Sequence, residues 1–360
     1  MAEEHLPRRV LVTGGAGFIG SGFVRHLLAS DPGVRVLTLD ALTYAGHPAN
    51  LSGLPDPERH ALVVADITDS ARVAEVMDGF RPDTVVHFAA ESHVDRSILD
   101  PGAFLRTNVT GTYTLLEAAR VAWGARRDVR FHHISTDEVY GALSPEDPPR
   151  TEEHPYRPSS PYSASKAASD HLVEAWGRTH GLPVTLTLSC NIFGPRQLPE
   201  KLVPLMILRA LDGQPLPIYG DGLQVREWLH VDELCQGVLA VVRRGAPGRR
   251  YNLSSAAPIT NLELVGRICD ALDRTRPSGA PRRALVRHVA DRPGHDRRYA
   301  LDCGLARRAL GFAPARPLGE ALDATIHWYL MNPAWVTEVQ ERSAHATWMA
   351  RNYGARLAGA

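Results

Sequence analysis

The chain has 360 residues, with 40 Lys+Arg against 40 Asp+Glu and 16 histidines that add positive charge only in acid. A formal charge of zero excludes the basic surplus that a nucleic-acid or anionic-membrane partner needs. The 44% of apolar residues are enough for a full core, yet no stretch nears the roughly 20 consecutive apolar residues of a membrane span.

The N-terminal residues lack a long apolar segment of the kind that opens a secretory signal. Cys190, Cys235, Cys269 and Cys303 lie too far apart for a zinc knuckle or a disulfide framework. Buried thiols in a reducing cytoplasm, and no metal site, are the expectation.

Val10-Leu11-Val12 starts the first strand and leads directly into Thr13-Gly14-Gly15-Ala16-Gly17-Phe18-Ile19-Gly20, which opens a helix reaching Ser30. In this spacing Gly14 permits a tight turn, Gly17 lets the backbone approach a pyrophosphate, and Gly20 allows close helix–strand contact. The helix N-terminus then offers free N–H groups to phosphate. A second strand over 34–39 ends at Asp40, 20 residues after Gly20. A carboxylate there accepts hydrogen bonds from an adenosine ribose and repels a 2′-phosphate, which favours NAD over NADP.

A third strand over 61–64 precedes Ala65-Asp66-Ile67, where a carboxylate can meet the adenine edge. A fourth over 84–88 precedes Ala89-Ala90, small enough either for a dinucleotide to cross the sheet or simply for tight packing. Runs at 131–134 and 184–188 complete the series. Apolar strands separated by helices mark an α/β fold, a doubly wound parallel Rossmann sheet. Residues 1–190 are expected to form its cofactor domain and to carry the catalytic residues.

After the fifth strand comes Ser135-Thr136-Asp137-Glu138, at the carboxyl end of a strand, where ligands bind in such sheets. Adjacent carboxylates there can hold opposite protonation states, one as acid and one as base. A helix start carrying acids to suit its dipole is the plainer alternative. Tyr162 and Lys166 stand at i and i+4 on one helix face. A lysine ammonium beside a phenol favours phenolate, making Tyr162 a base, and Lys166 can also bind the nicotinamide ribose.

Beyond residue 190 proline and glycine become frequent, and 191–340 reads as a smaller lobe, which the resemblance given below assigns mainly to nucleotide-sugar binding. Arg249–Leu253 is expected to return to the sheet as a strand, and 341–360 to form a C-terminal tail. The arginine-rich stretch 274–298 is either a solvated loop or a phosphate-binding segment.

These segments together resemble the extended short-chain dehydrogenase/reductase superfamily, and within it the dTDP-glucose 4,6-dehydratases, from Val10 to about Trp335. The most specific are Leu42-Thr43-Tyr44-Ala45-Gly46, Ala89-Ala90-Glu91-Ser92-His93-Val94-Asp95-Arg96-Ser97, Thr136-Asp137-Glu138, Pro199-Glu200-Lys201-Leu202, and Asp291 through Tyr299. The resemblance implies that Tyr162 takes the C4 hydroxyl proton while NAD accepts the hydride. It further implies that Glu138 removes the C5 proton, Asp137 protonates the departing C6 hydroxyl, and Thr136 aligns the C4 oxygen.

It adds cofactor contacts at Leu42, Thr43, Ile67, Ser92 and Thr107. Substrate contacts are implied at Ser92, Asn191, Glu200, Lys201, Leu202, Pro217, Ile218, Tyr219, Arg226, Asn261, Arg292, His295 and Tyr299, with Arg226 as a pyrophosphate clamp. Where the family usually has Asn-Asn-Tyr-Gly-Pro, this chain has Asn191-Ile192-Phe193-Gly194-Pro195, and Arg196 and Leu198 replace the usual aromatics. A UDP-sugar 4-epimerase, a nucleotide-glucuronate decarboxylase and a non-catalytic NAD-binding regulator are the competing expectations. A homodimer through Thr110–Ala119 and the helix carrying Tyr162 is also implied.

Overall fold

The computed structural model describes residues 4–358. Its centre is a seven-stranded parallel sheet: β1 (Arg9–Thr13), β2 (Arg35–Asp40), β3 (His60–Val64), β4 (Thr84–His87), β5 (Arg130–Thr136), β6 (Val184–Ser189) and a late strand, Arg249–Leu253. The spatial order runs from Arg249–Leu253 through β6, β5, β4, β1 and β2 to β3. Arg249–Leu253 pairs parallel with β6, Tyr251 opposite Thr187.

Side chains alternate across each strand, so each strand feeds two cores. Val10, Val12 and Val36 pack under the helices Phe18–Ser30 and Val231–Arg244. Leu11, Leu37 and Leu39 point the other way, to Leu115, Leu116 and Val173 of the helices Thr112–Trp123 and Pro161–His180. Both faces are covered, which is why the strands are almost continuously apolar. β5 runs two residues beyond the expected 131–134 stretch because Ser135 and Thr136 stay in register with Leu188 and Ser189.

A second core lies beside the sheet, built on Phe193, Met206, Trp228, Leu264, Ile268, Tyr329 and Trp335. It carries two small sheets. β7 (Asn191–Phe193) runs parallel to β9 (Val225–His230), which also pairs antiparallel with Pro258–Thr260; β8 (Leu216–Tyr219) pairs with Val286–Val289.

The arginine-rich stretch divides between its two readings. Arg274, Arg282 and Arg283 pair with Asp323, Asp273 and Asp270, whereas Arg292 reaches Asp95 at 3.1 Å in the cleft. Part of the stretch expected as a C-terminal tail, 341–360, has regular structure. Ser343–Met349 is helical, and Arg342 donates to the carbonyls of Gly46 (2.8 Å) and Thr43 (2.9 Å). The four cysteines are free and buried. Among the described residues no helix is long and apolar enough to cross a membrane.

Candidate active site

The carboxyl ends of β1, β2, β4, β5 and β6 open into a cleft of about 330 Å³, which continues into a second cavity of about 190 Å³. Ser92, Glu138, Asn191, Ile192, Gln197, Glu200 and Lys201 line both and form the junction.

The glycine turn shapes one end. Gly14 has φ +69°, and a Cβ there would meet the Ala89 nitrogen at 2.6 Å; a Cβ on Gly20 would meet the Gly14 carbonyl oxygen at 2.2 Å. Both glycines line the cleft, but the direction a Cβ would take is closed off by protein. At Gly17 the nearest atom would be 3.2 Å away, so its open side faces the cleft. Gly17 is also the N-cap of Phe18–Ser30 and supplies no side-chain cap, so first-turn N–H groups stay available to an anion. Asp40 accepts from the N–H groups of Ala16 (2.9 Å) and Leu42 (2.8 Å). Burial nevertheless pushes its carboxyl up. Asp66 is held by Thr68, and Phe18, Ile19, Thr43, Ile67, Ala89, Ala90 and Thr107 complete this end. Open turn, exposed amides and carboxylate together fit a dinucleotide.

The chemical groups meet at the middle of the cleft. Asp137–Tyr140 is a single 3₁₀ turn capped by Thr136, whose hydroxyl accepts from the Glu138 N–H (3.3 Å). Burial first, and then the neighbouring Glu138, hold the Asp137 carboxyl well above its usual range. Its Oδ2 is buried without a partner. Glu138 is only half-buried and is raised less, because Arg292, Arg226 and Lys201 offset its burial. The environments of the two acids therefore differ, as an acid/base pair requires.

Tyr162 and Lys166 are set by the start of Pro161–His180. Ser160 and Ser163 form a reciprocal capping box with Pro161 in the first turn, which fixes the entry of the helix. Lys166 donates to the Ile134 carbonyl (2.7 Å) and approaches His133 Nε2 (3.3 Å). Burial lowers it to about 8, against the pull of Asp170. The expected phenolate is not favoured here. Burial and then Glu138 raise the Tyr162 phenol, while the ammonium is engaged by a carbonyl and a histidine.

In the second cavity the structure gathers Leu202, Pro217, Ile218, Tyr219, Arg226, Asn261, Arg292 and His295. Arg226 is buried, donates to the carbonyls of Val225 (2.8 Å) and Asp296 (2.7 Å), and lies 4.2 Å over the Tyr299 ring. Lys201 donates to the Ser92 carbonyl (2.9 Å). The buried Asn261 Oδ1 has no partner, which suits a polar ligand group.

Two residues expected to make contacts fall outside the lining of the two cavities. Leu42 does not line the cleft; its N–H is spent on Asp40. Tyr299 does not line either cavity; it supports Arg226 from behind and donates to Asp296 (2.6 Å). Glu200 lines both, but its carboxylate is taken by Arg96, at 2.7 and 3.3 Å. Ile192 contributes an apolar wall continuous with the sheet core.

Several lining residues were not anticipated. Tyr44 and Glu91 fall inside two of the specific segments, so a signal for them existed; Arg96 sits 3.9 Å over the Tyr44 ring. Gln197, Trp335 and Tyr353 carry no local signal, because long-range packing brings them in, as where Trp335 donates to Asn50 (2.9 Å).

The GDP-mannose 4,6 dehydratase family profile matches residues 11–325. A dTDP-glucose 4,6-dehydratase of Salmonella typhimurium is 48% identical over 361 residues, covering 97% of this chain and 99% of that one. The crystal structure of DesIV, a dTDP-glucose 4,6-dehydratase from Streptomyces venezuelae with NAD and TYD bound, superposes with a TM-score of 0.85 at 47% identity, covering 92% and 99%. A UDP-glucose 4-epimerase from Thermotoga maritima with UDP-glucose also superposes, at 0.79 but 28% identity, covering 90% and 99%. The fold is thus shared with epimerases, and the higher identity lies with dehydratases.

Proposed function

Because this chain belongs to the dTDP-glucose 4,6-dehydratase family, we propose that Asp137, Glu138, Thr136, Tyr162 and Lys166 are the residues with which it converts dTDP-glucose to the 4-keto-6-deoxy sugar. The enzyme is an NAD-dependent lyase. Bound NAD would supply the oxidant for C4 and the hydride returned to C6 after water has left, with the proton taken by Glu138 given back to C5. The cleft lined by Gly17, Asp40, Asp66 and Thr107 holds it, and the second cavity takes the nucleoside diphosphate.

Within this frame each side chain has a task set by its surroundings. Tyr162 would take the C4 hydroxyl proton as phenolate, a form that burial and Glu138 oppose before ligands bind, with Thr136 hydrogen-bonding the same oxygen. The 4-keto group acidifies C5–H, and Glu138, raised by its burial but drawn back toward the charged form by Arg292 and Arg226, removes that proton. Asp137, whose burial keeps its proton on, delivers it to the leaving C6 hydroxyl. Lys166 stays a cation at neutral pH and holds the ribose next to the nicotinamide.

The adjacent Asp137 and Glu138 in unequal environments carry this reading. An epimerase has no elimination for two such acids to serve. The test is incubation with dTDP-glucose deuterated at C4. Mass spectrometry should show loss of water with the label retained at C6; an isobaric product or released CO₂ would refute it.

The homodimer belongs to the same reading. It is supported by exposed Leu99, Leu105 and Tyr113 (49, 57 and 47% accessible), near the outer face of Thr112–Trp123. A cytoplasmic location is supported by four buried, reduced thiols.

A further inference from the structure

The cofactor end of the cleft is walled by residues from opposite ends of the chain. Thr43, Gly46, His47 and Asn50, which follow β2, line it together with Trp335 and Val339 of the helix Pro333–Gln340. We propose that Trp335 and Arg342 are positioning residues for the cofactor, fixing the 41–50 loop so that NAD stays bound through successive turnovers. This rests on the NAD reading above. Hydride lent at C4 is returned at C6 within one turnover, so a cofactor that left between the two steps would strand an oxidised sugar.

The loop needs outside support. Residues 41–47 form neither helix nor strand, and Leu42 has φ +50°, a left-handed conformation that costs a residue with a Cβ. Two anchors come from the sheet side. Asp40 accepts from the Leu42 N–H (2.8 Å), and the His47 N–H donates to the Ala16 carbonyl in the glycine turn (3.0 Å).

The other anchors come from the far end of the chain. Arg342 donates to the carbonyls of Gly46 (2.8 Å) and Thr43 (2.9 Å), a pairing that a planar guanidinium with five N–H groups can make at once. Trp335 is 9% accessible and donates to Asn50 Oδ1 (2.9 Å), while Asn50 Nδ2 donates to the Ala16 carbonyl (2.8 Å). His47 Nδ1 accepts from the Ala49 N–H (3.0 Å), so the ring proton sits on Nε2, 3.3 Å from Glu338 Oε1. The loop is thus clamped between the glycine turn and the C-terminal segment. Irregular loops are ordinarily the first part of a fold to open, and this one cannot open without breaking those links.

The test starts from the full-length enzyme loaded with NAD and diluted into excess NAD labelled in its adenine ring. Rapid gel filtration and mass spectrometry follow loss of the unlabelled cofactor. Arg342→Ala should release it about tenfold faster than the parent, the scale of one charge-assisted hydrogen bond. Arg342→Lys, which keeps a cationic donor, should fall between the two. Trp335→Phe, which keeps a ring but not the N–H, should release it about fivefold faster. Arg342 lines neither cavity, so the KM for dTDP-glucose should move less than the release rate, and turnover lost on dilution should return when NAD is added. A folded Arg342→Ala enzyme that keeps NAD as long as the parent would overturn the proposal, and so would a loss of turnover that excess NAD does not restore. If that variant does not fold, release at the parent rate from Trp335→Phe would do so. A parent that binds no NAD would overturn the cofactor reading, and this inference with it.

Discussion

At Asp137 the protein spends stability to hold a proton. An acid whose folded pKa is raised stays protonated in the folded chain at pH values where the unfolded chain has already ionised. Folding stability is therefore full below the ordinary carboxyl value and falls as pH rises above it. Asp137→Asn removes this cost. Its melting midpoint should match the parent's near about pH 3.5 and exceed it at about pH 7.5, while dehydration slows by roughly 10²–10⁴-fold. The double variant Asp137→Asn/Glu138→Gln should still reduce bound cofactor on adding substrate; dehydration at the parent rate would refute the roles. A second outcome concerns Lys166, which loses its charge as pH rises through about 8. Asp170, held by Ser135 (2.7 Å) and Tyr156 (2.8 Å), is the anion that opposes this loss. Asp170→Asn should move the alkaline limb of the kcat profile to lower pH, and an unmoved limb would show that the carboxylate does not act on the lysine.

The glycine turn and its helix separate two demands that the sequence pattern merges. Gly20 and Gly17 both line the cleft, but a Cβ on Gly20 would run into the Gly14 carbonyl, whereas one on Gly17 would meet only that oxygen, at 3.2 Å. Gly20→Ala should destabilise by about 1–3 kcal/mol, several degrees in melting midpoint for a chain of this size. Gly17→Ala should melt near the parent temperature but retain less NAD on gel filtration. Equal melting of the two variants would refute the distinction. The capped helix Pro161–His180 shows a similar division. The i, i+4 spacing was visible in the sequence, but the capping box emerged with the structure, and the ammonium's carbonyl and histidine partners lie on β5. The phenol's acidity is therefore set by groups remote in sequence.

At the scale of the molecule, the proposed dimer predicts light scattering at about twice the 39.4 kDa chain mass, and a shift toward one chain mass in Leu105→Asp/Tyr113→Asp. A parent that scatters as a single chain would refute it. The strands, the glycine turn, Asp40 and the Asp137-Glu138 pair were all legible in the sequence alone. Each depends on local periodicity or on spacing within one βα unit, where chain geometry leaves few alternatives. The tertiary structure alone decided that Leu42 and Tyr299 stand behind the cavity rather than in it, that Glu200 is committed to Arg96, and that Tyr353 reaches the nucleotide end. The Glu200–Arg96 pair spans 104 residues, whereas Leu42 and Tyr299 are taken by the nearer Asp40 and Arg226; in each case packing makes the choice, and no local pattern is sensitive to it.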